Sequence, residues 1–452
     1  METSKTQLNT FAAPWYFGIP CGTAALILLG YIVCGAPSLE QGSYTARITV
    51  GIALLAFTLL IFCLLHASGT SFSTAMLLLL PIAVALYLRL LCLDQQTHDY
   101  QTFLAQWAAF FRDNGGFAAL KEPVGDYNVP YLYFLAAISY LPIPDLYFIK
   151  LLSILFDLLL SLAGLRLSRM LCRENSPTPL VCFVLLLFLP TVVLNGSYWA
   201  QCDSLYAALL LLALSCVLEQ RPKTSVALLA LAFSFKLQTV FLIPLWCVFW
   251  YTKRIKFRHL FLFPAVYALT VLPALALGKP LADILGIYLG QVGEYGDFLT
   301  LNAPSVFAFL PYGAQVNTAP FSRAGIIAAF ALVFFLLILL LCVRRRVTSR
   351  VLLAAAAVLA IGVPFLLPNM HERYFFLADI ITLALACTNR TWIPVAALTQ
   401  ISSLSSYSTY LRLQYTLPLY VNGQFYVMAF EATLMLIALI WSLVILIRQL
   451  RR

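Results

Sequence analysis

The chain has 452 residues, of which 62% are hydrophobic and only 10% charged, with a formal net charge of +10. A soluble domain is about 45–50% apolar and about 25% charged, so this composition excludes an ordinary soluble protein and points to a polytopic membrane protein that lies mostly within the bilayer. The basic residues stand in short clusters between apolar blocks, a pattern that sets membrane topology and gives no sign of nucleic-acid binding.

Taken in order, the apolar blocks predict spans at 14–34, 47–66 and 72–93, then 145–170, 177–195 and 203–219. The N-terminal segment has no basic stretch and no small-residue cleavage site, so its first block reads as a retained helix. The block 224–252 is interrupted by Lys236 and Gln238. Further spans follow at 259–277, 323–343, 350–367, 374–388, 391–410 and 425–447. The Lys and Arg clusters at 166–173, 221–223, 253–258, 344–350, 390 and 448–452 fall on one face only if 224–252 goes in and comes back as two short helices, 224–236 and 239–252. The alternative is a single long tilted helix, which puts one cluster on the wrong side. With the hairpin, the chain is an all-α polytopic membrane protein of about fourteen spans, a single integral membrane domain with both termini cytoplasmic. The 11 cysteines are scattered without a CxxC pair and read as small core hydrophobes. No linker, soluble domain or internal repeat is visible.

This topology gathers four segments on the outer side: the loop 94–144, the turn Asn195–Asp203, the loop 278–322 and the short stretch 368–373. Lys236 and Gln238 lie just beneath them. The stretch from His98 to Asp145 holds Asp99, Asp113, Glu122, Asp126 and Asp145, five of the chain's 18 acidic residues. A membrane protein that concentrates scarce carboxylates beside the bilayer invites a chemical reading. Phe103, Trp107, Phe110 and Phe111 are spaced for a helix lying flat at the interface over 99–112, ended by Asn114-Gly115-Gly116. The run 130–142 reads as a second interfacial or re-entrant piece.

Each candidate residue has a structural reading beside the functional one. Asp99, next to His98, is placed to take a proton from a hydroxyl or to cap the helix that follows. Asp126 and Tyr127 either belong to a site, where aromatic rings bind sugar faces and lipid chains, or form a turn into the next helix. Trp199, Gln201 and Asp203 lie in a turn that serves as an interfacial aromatic belt and N-cap, as a site wall, or as both. Lys236, with Gln238, faces a cavity or counter-charge, with a phosphate as its natural partner, or snorkels to the interface. His371, Glu372 and Arg373 put three ionisable side chains in a row, Arg matching phosphate oxygens; the spacing is not that of a zinc protease. Asp157, Asp379 and Glu431 read as packing or topology residues, and Glu294 and Asp297 as solvated loop charge able to order on a ligand.

The stretches HDYQTFLAQW, NGGF and GDYNVPYLYFL, then GSYWAQCDSLYAALLLLAL, FSFKLQ and PNMHERYFFLAD, occur in that order over residues 90–380. They resemble the GT-C glycosyltransferases, which use polyprenyl-phosphate-linked sugars, and are similar to bacterial GPI-mannosyltransferase-like membrane proteins. The resemblance implies a GT-C-like bundle with interfacial helices in the first large outer loop. It implies an Asp general base at Asp99 and donor-phosphate contacts at Lys236, His371 and Arg373. His98, Asp126, Tyr127, Trp199, Gln201, Asp203, Gln238 and Glu372 would bind substrate. The expected reaction is inverting transfer of mannose or another hexose from the polyprenyl-phosphate donor to a hydroxyl on a glycolipid, glycan or protein acceptor. It takes place on the outer face of a bacterial plasma membrane. No metal or other cofactor is required, although Asp99 with Asp126 or Asp203 offers a place for a divalent ion. A transporter or lipid flippase is the competing class, and a lipid-modifying acyltransferase using His371 a third.

Overall fold

The computed structural model describes residues 44–174, 176–293, 298–313 and 317–451. The expected span 14–34, Glu294 and Asp297 lie outside the described residues. The architecture is a helical membrane bundle: α1 (Tyr44–Ala67), α2 (Phe72–Leu90), α3 (Ala105–Asp113), α4 (Val129–Ile138), α5 (Asp145–Arg169), α6 (Thr178–Leu187), α7 (Asp203–Leu218), α8 (Pro222–Phe235), α9 (Pro244–Tyr251), α10 (Leu262–Ala276), α11 (Leu281–Gly293), α12 (Thr318–Cys342), α13 (Ser349–Leu366), α14 (Phe376–Thr388), α15 (Ile393–Leu411) and α16 (Ala429–Arg451). Inside a bilayer a helix satisfies its own backbone groups, and so these long apolar blocks have little alternative.

Among the described residues, seven helices are long and apolar enough to cross a membrane, or eight if α6 and the stretch Pro190–Tyr198, bent from it by 42°, count as one. Helices stand at each described position where an apolar block predicted a span, but α7 has only 16 residues and α8 only 14. A crossing takes about 20. Counting every apolar block as a span therefore gives a larger number than the length test. Several of the short helices end where the chain turns into a polar cavity.

Two helices form the centre. Along α13 every residue from Val351 to Phe365 is buried, and its run Ala354–Ala357 lets α12, α14 and α16 approach closely. The other, α5, packs against α6 and α7. By contrast α10 and α12 stand at the rim, with only 17% and 22% of their spanning windows buried. Of the three acids expected to pack, Asp157 makes a buried ion pair with Arg89 at 2.8 Å and accepts from Ser204 Oγ at 2.5 Å, while Asp379 accepts from Ser403 Oγ at 3.0 Å. Both carboxylate oxygens of buried Glu431 lack a hydrogen-bond partner among the described residues.

The interrupted block folds back on itself. After α8, Lys236 is extended (φ −150°, ψ 136°), a short turn covers Leu237–Phe241, and α9 follows. The Trp246 indole N–H donates to Ser225 Oγ at 3.2 Å. In one continuous helix those residues would be about 30 Å apart, so the long tilted helix is excluded.

The basic clusters meet at one end. Arg169 donates to Ser68 O and to Thr70 Oγ1, and Arg166 pairs with Glu219 at 2.5 Å. Arg350 donates to Leu171 O and Arg346 to Leu450 O, each at 3.2 Å, and Arg344 lies 5.3 Å over the Tyr251 ring. From this end α7 rises about 24 Å and α13 about 27 Å to the opposite end, where the predicted outer segments gather. There β1 (Thr300–Leu301) pairs in parallel with β2 (Met370–His371), which joins the loop 278–322 to the stretch 368–373. A hairpin, β3 (Leu419–Val421) and β4 (Gln424–Tyr426), connects α15 to α16. Its turn is Asn422-Gly423, both at positive φ, the dipeptide that a tight hairpin favours.

Candidate functional site

The helix of the first loop begins with a single π turn, Tyr100–Leu104, and runs on into α3. It stops at Asn114, where Gly115 and Gly116 take φ of 81° and 63°. Asp99 sits at its start but makes no capping bond. Its side chain turns instead across the chain toward the Asn195–Asp203 turn. That turn begins with a second π turn, Leu194–Tyr198, pressed onto α5; a Cβ on Gly196 would come within 3.1 Å of Ser153 Cβ.

Asp99 is held by three donors. Oδ2 accepts from Trp199 Nε1 and Gln201 Nε2, each at 2.9 Å, and Oδ1 accepts from Tyr410 OH at 2.5 Å. Tyr410 also stacks on Trp199, with centroids 4.6 Å apart and planes 14° apart. An ionised carboxylate has about four lone-pair positions, and so one acceptor direction remains open after these bonds. Gln201 does two jobs. Its Nε2 donates to Asp99, while its Oε1 accepts from Arg373 Nη1 at 2.9 Å and from Tyr127 OH at 3.3 Å. One buried amide thus holds a carboxylate and a guanidinium within about 8 Å of each other.

Arg373 is the cation with donors to spare. It lies 5.9 Å over the Trp199 ring, forms no ion pair among the described residues, and its Nε is buried without a hydrogen-bond partner there. Lys236 is different. Its ammonium pairs with Asp203, which also accepts from Asn195 Nδ2 at 2.7 Å, and it sits 5.6 Å over the Tyr127 ring. The sequence predicts a cavity or a counter-charge for Lys236, with a phosphate as its natural partner; the structure places it on the cavity wall with a carboxylate as counter-charge, so the pair adds no net charge. Nor does Asp203 cap α7, since it is turned toward Lys236 and Asn195.

These groups surround a cavity of about 280 Å³. Asp99, Asp126, Tyr127, Gln201, Lys236, Gln238, His371, Glu372 and Arg373 all line it. Trp199 and Asp203 stand behind that wall as supports. Asp126 is at the exposed rim, where its backbone oxygen accepts from Gln291 Nε2. His98 does not join the others. It is exposed, its ring lies 3.4 Å from Thr102 Oγ1 on its own helix, and it is not on the cavity wall, because neighbours in the first turn of a helix project to different sides.

The electrostatics of the HER stretch also differ from a simple basic patch. Burial, reinforced by the Arg373 and Lys236 cations, pushes His371 down to about 3. At neutral pH it is a neutral imidazole able to donate one hydrogen bond, not a third cation. Burial raises Glu372 to about 7 against the opposing pull of Arg373.

Some site residues were not among those singled out from the sequence. Tyr410 is the chief of these, with Tyr288 and Gln291 from α11 and with Asn302 and Asn369 beside the β1–β2 pair. A signal for Tyr410 did exist: Ser402, Ser403, Ser406, Tyr407 and Thr409 give α15 a buried polar stripe that an apolar span has no reason to carry. The helical spacing of Phe103 and Trp107 predicts an interfacial face, and in the structure both line the cavity. Gly125 allows this. It has φ +70°, and a Cβ there would come within 3.0 Å of the Trp107 ring.

Among the described residues no group of three or more His, Cys, Asp or Glu is placed to hold a metal ion. The arrangement offers an oriented carboxylate with a free acceptor direction, a guanidinium with an unpaired donor near it, and aromatic side chains lining the same cavity. No protein-family model matches the chain, and no curated protein matches it significantly.

Proposed function

We propose that the chain is a GT-C-type membrane glycosyltransferase, a bundle of about fourteen spans with its cavity on the extracytoplasmic side. It moves a hexose, mannose foremost, from a polyprenyl-phosphate donor to an acceptor hydroxyl. The observation that carries this reading is the Gln201 bridge, which fixes the Asp99 carboxylate beside the Arg373 guanidinium on one cavity wall. Substitution at an anomeric carbon needs that pair: a base for the incoming hydroxyl and a cation for the departing phosphate. The gathering of basic clusters at the opposite end supports the sidedness.

In the proposed reaction the acceptor O–H gives its proton to Asp99 through the open acceptor direction. The acceptor oxygen bonds to the anomeric carbon from the face opposite the phosphate. The bond from that carbon to the phosphate oxygen breaks, its electron pair leaves with polyprenyl phosphate, and the configuration inverts. Arg373 meets the growing charge on the phosphate, which exceeds that of the diester donor. Neutral His371 adds one hydrogen bond. The Lys236–Asp203 pair holds the floor and leaves ammonium donors for the phosphate. Trp107, Phe103 and Tyr127 supply ring faces for the sugar. The lipid tail stays in the bilayer, so a site at the end of a membrane bundle suits this donor.

Two results are expected at the site. Tyr410→Phe removes one of the bonds that hold Asp99. A hydrogen bond to a charged group is worth about 1.5–3 kcal/mol, so transfer falls roughly 10- to 100-fold while donor affinity, measured by equilibrium binding, stays unchanged. Glu372 gives a pH dependence. It is neutral below about 7 and adds a negative charge facing the anionic donor above it. Donor KM therefore rises several-fold between about pH 6 and about pH 8, and Glu372→Gln flattens that rise.

The functional test is reconstitution in lipid with a panel of polyprenyl-phosphate sugars and a membrane extract as acceptor, followed by assay for free polyprenyl phosphate. Release coupled to sugar transfer supports the reading and names the sugar. Intact donor with labelled lipid or sugar crossing the bilayer replaces it with a transporter.

A further inference from the structure

We infer that the basic end of the bundle carries a binding site for the phosphate headgroup of an anionic phospholipid, between α9 and the junction of α12 with α13. A second cavity, of about 620 Å³, opens there, lined by Tyr251, Leu341, Cys342, Val343, Arg344 and Arg346. Neither arginine has a carboxylate partner, since the four ion pairs among the described residues all lie elsewhere. Arg346 spends one donor on Leu450 O, and Arg344 lies over the Tyr251 ring. Arg254, which reaches Val347 O at 3.5 Å, adds a further cation nearby. Guanidinium groups that line one cavity without a counter-ion repel one another, and a phosphate placed between them relieves that repulsion through forked hydrogen bonds.

A lipid is favoured over free phosphate by what adjoins the cavity. Ile327, Phe330, Phe334 and Ile338 are all exposed, and at spacings of three and four residues they form one apolar stripe along α12. The stripe leads to Leu341 and Cys342 in the cavity wall. From Ile327 to Cys342 it runs about 22 Å, deeper than the hydrocarbon of one leaflet, about 15 Å. Trp250 stands next in sequence to Tyr251 of the cavity wall, and its ring meets Phe257, which in turn meets Phe261; all three are exposed, and exposed aromatic side chains of this kind favour the headgroup level. Cations at the headgroup, with an acyl-length apolar track beginning at the same point, form an anionic-lipid site. The inference rests on the membrane orientation of α12 and is independent of the chemistry at the other end.

The test uses Cys342, which is exposed and in the cavity wall. The whole protein is placed in nanodiscs of phosphatidylcholine, with or without phosphatidylglycerol, and alkylation of Cys342 by N-ethylmaleimide is followed by mass spectrometry. Phosphatidylglycerol is expected to slow labelling roughly tenfold. Inorganic phosphate added to phosphatidylcholine nanodiscs is expected to leave the rate unchanged. The Arg344→Gln/Arg346→Gln double variant should lose the protection. Native mass spectrometry of the unsubstituted protein from mixed-lipid micelles gives a second readout that needs no variant, with phosphatidylglycerol retained over phosphatidylcholine. Equal labelling in both lipids, equal retention of both, protection that survives in the double variant, or protection by phosphate alone overturns the inference.

Discussion

Asp99→Asn is expected to lower sugar transfer by about 10²- to 10⁴-fold, the range that a positioned general base contributes. The amide keeps the size of the side chain and can still accept from Trp199, Gln201 or Tyr410, so the cavity wall should stay in place. In the proposed reaction the donor phosphate meets Arg373, on the other side of the Gln201 bridge, so donor binding should change little. The signature is thus a collapse of the single-turnover rate with the donor dissociation constant preserved. Loss of donor binding in step with transfer would mean that Asp99 acts as a structural anchor of the wall. Full activity in the amide would remove the base from this position altogether.

Lys236→Met has the largest expected effect on stability. Asp203 is 1% exposed, and Lys236 is its cationic partner. Removing one member of a buried ion pair strands the other and costs about 3–5 kcal/mol, whereas replacing both by neutral groups is often close to neutral. The double variant Lys236→Met/Asp203→Asn should therefore recover most of the loss, with Asn195 still available to residue 203. Equilibrium unfolding in mixed micelles measures both. A single variant as stable as the parent would show that Asp203 is carried protonated and that the pair is not ionic. Activity should stay low in the double variant if the ammonium donors also serve the phosphate.

Much of the architecture was legible because lipid leaves a chain few choices. Among the described residues the apolar blocks are helices at their expected places, and the clusters of Lys and Arg required a fold-back at Lys236 that the Trp246–Ser225 bond bears out. The number of crossings was less legible. Hydropathy marks where a block is apolar and cannot tell a crossing helix from one that stops at a cavity, as α7 and α8 do. At the site, scarce polar residues in apolar surroundings drew attention to Asp99, Gln201, Lys236 and Arg373. Pairing was not legible. Nothing in the local sequence says that Lys236 meets Asp203 or that one glutamine amide joins Asp99 to Arg373, because these contacts link residues far apart in the chain. Tyr410 was missed for the same reason: it lies 311 residues from the carboxylate it holds. His98 misled by adjacency, since sequence neighbours on a helix face different ways.

The central claim is direct displacement at the anomeric carbon with Asp99 as base, and the configuration of the product tests it most directly. A single turnover of the reconstituted protein with a polyprenyl-phosphate sugar of known anomeric configuration, read by NMR of the glycosylated acceptor, should give the opposite anomer, and Asp99→Asn should give none. A product that retains the donor's configuration would require two displacements through a covalent intermediate and would contradict the assignment. So would a donor left unconsumed in the presence of every acceptor offered.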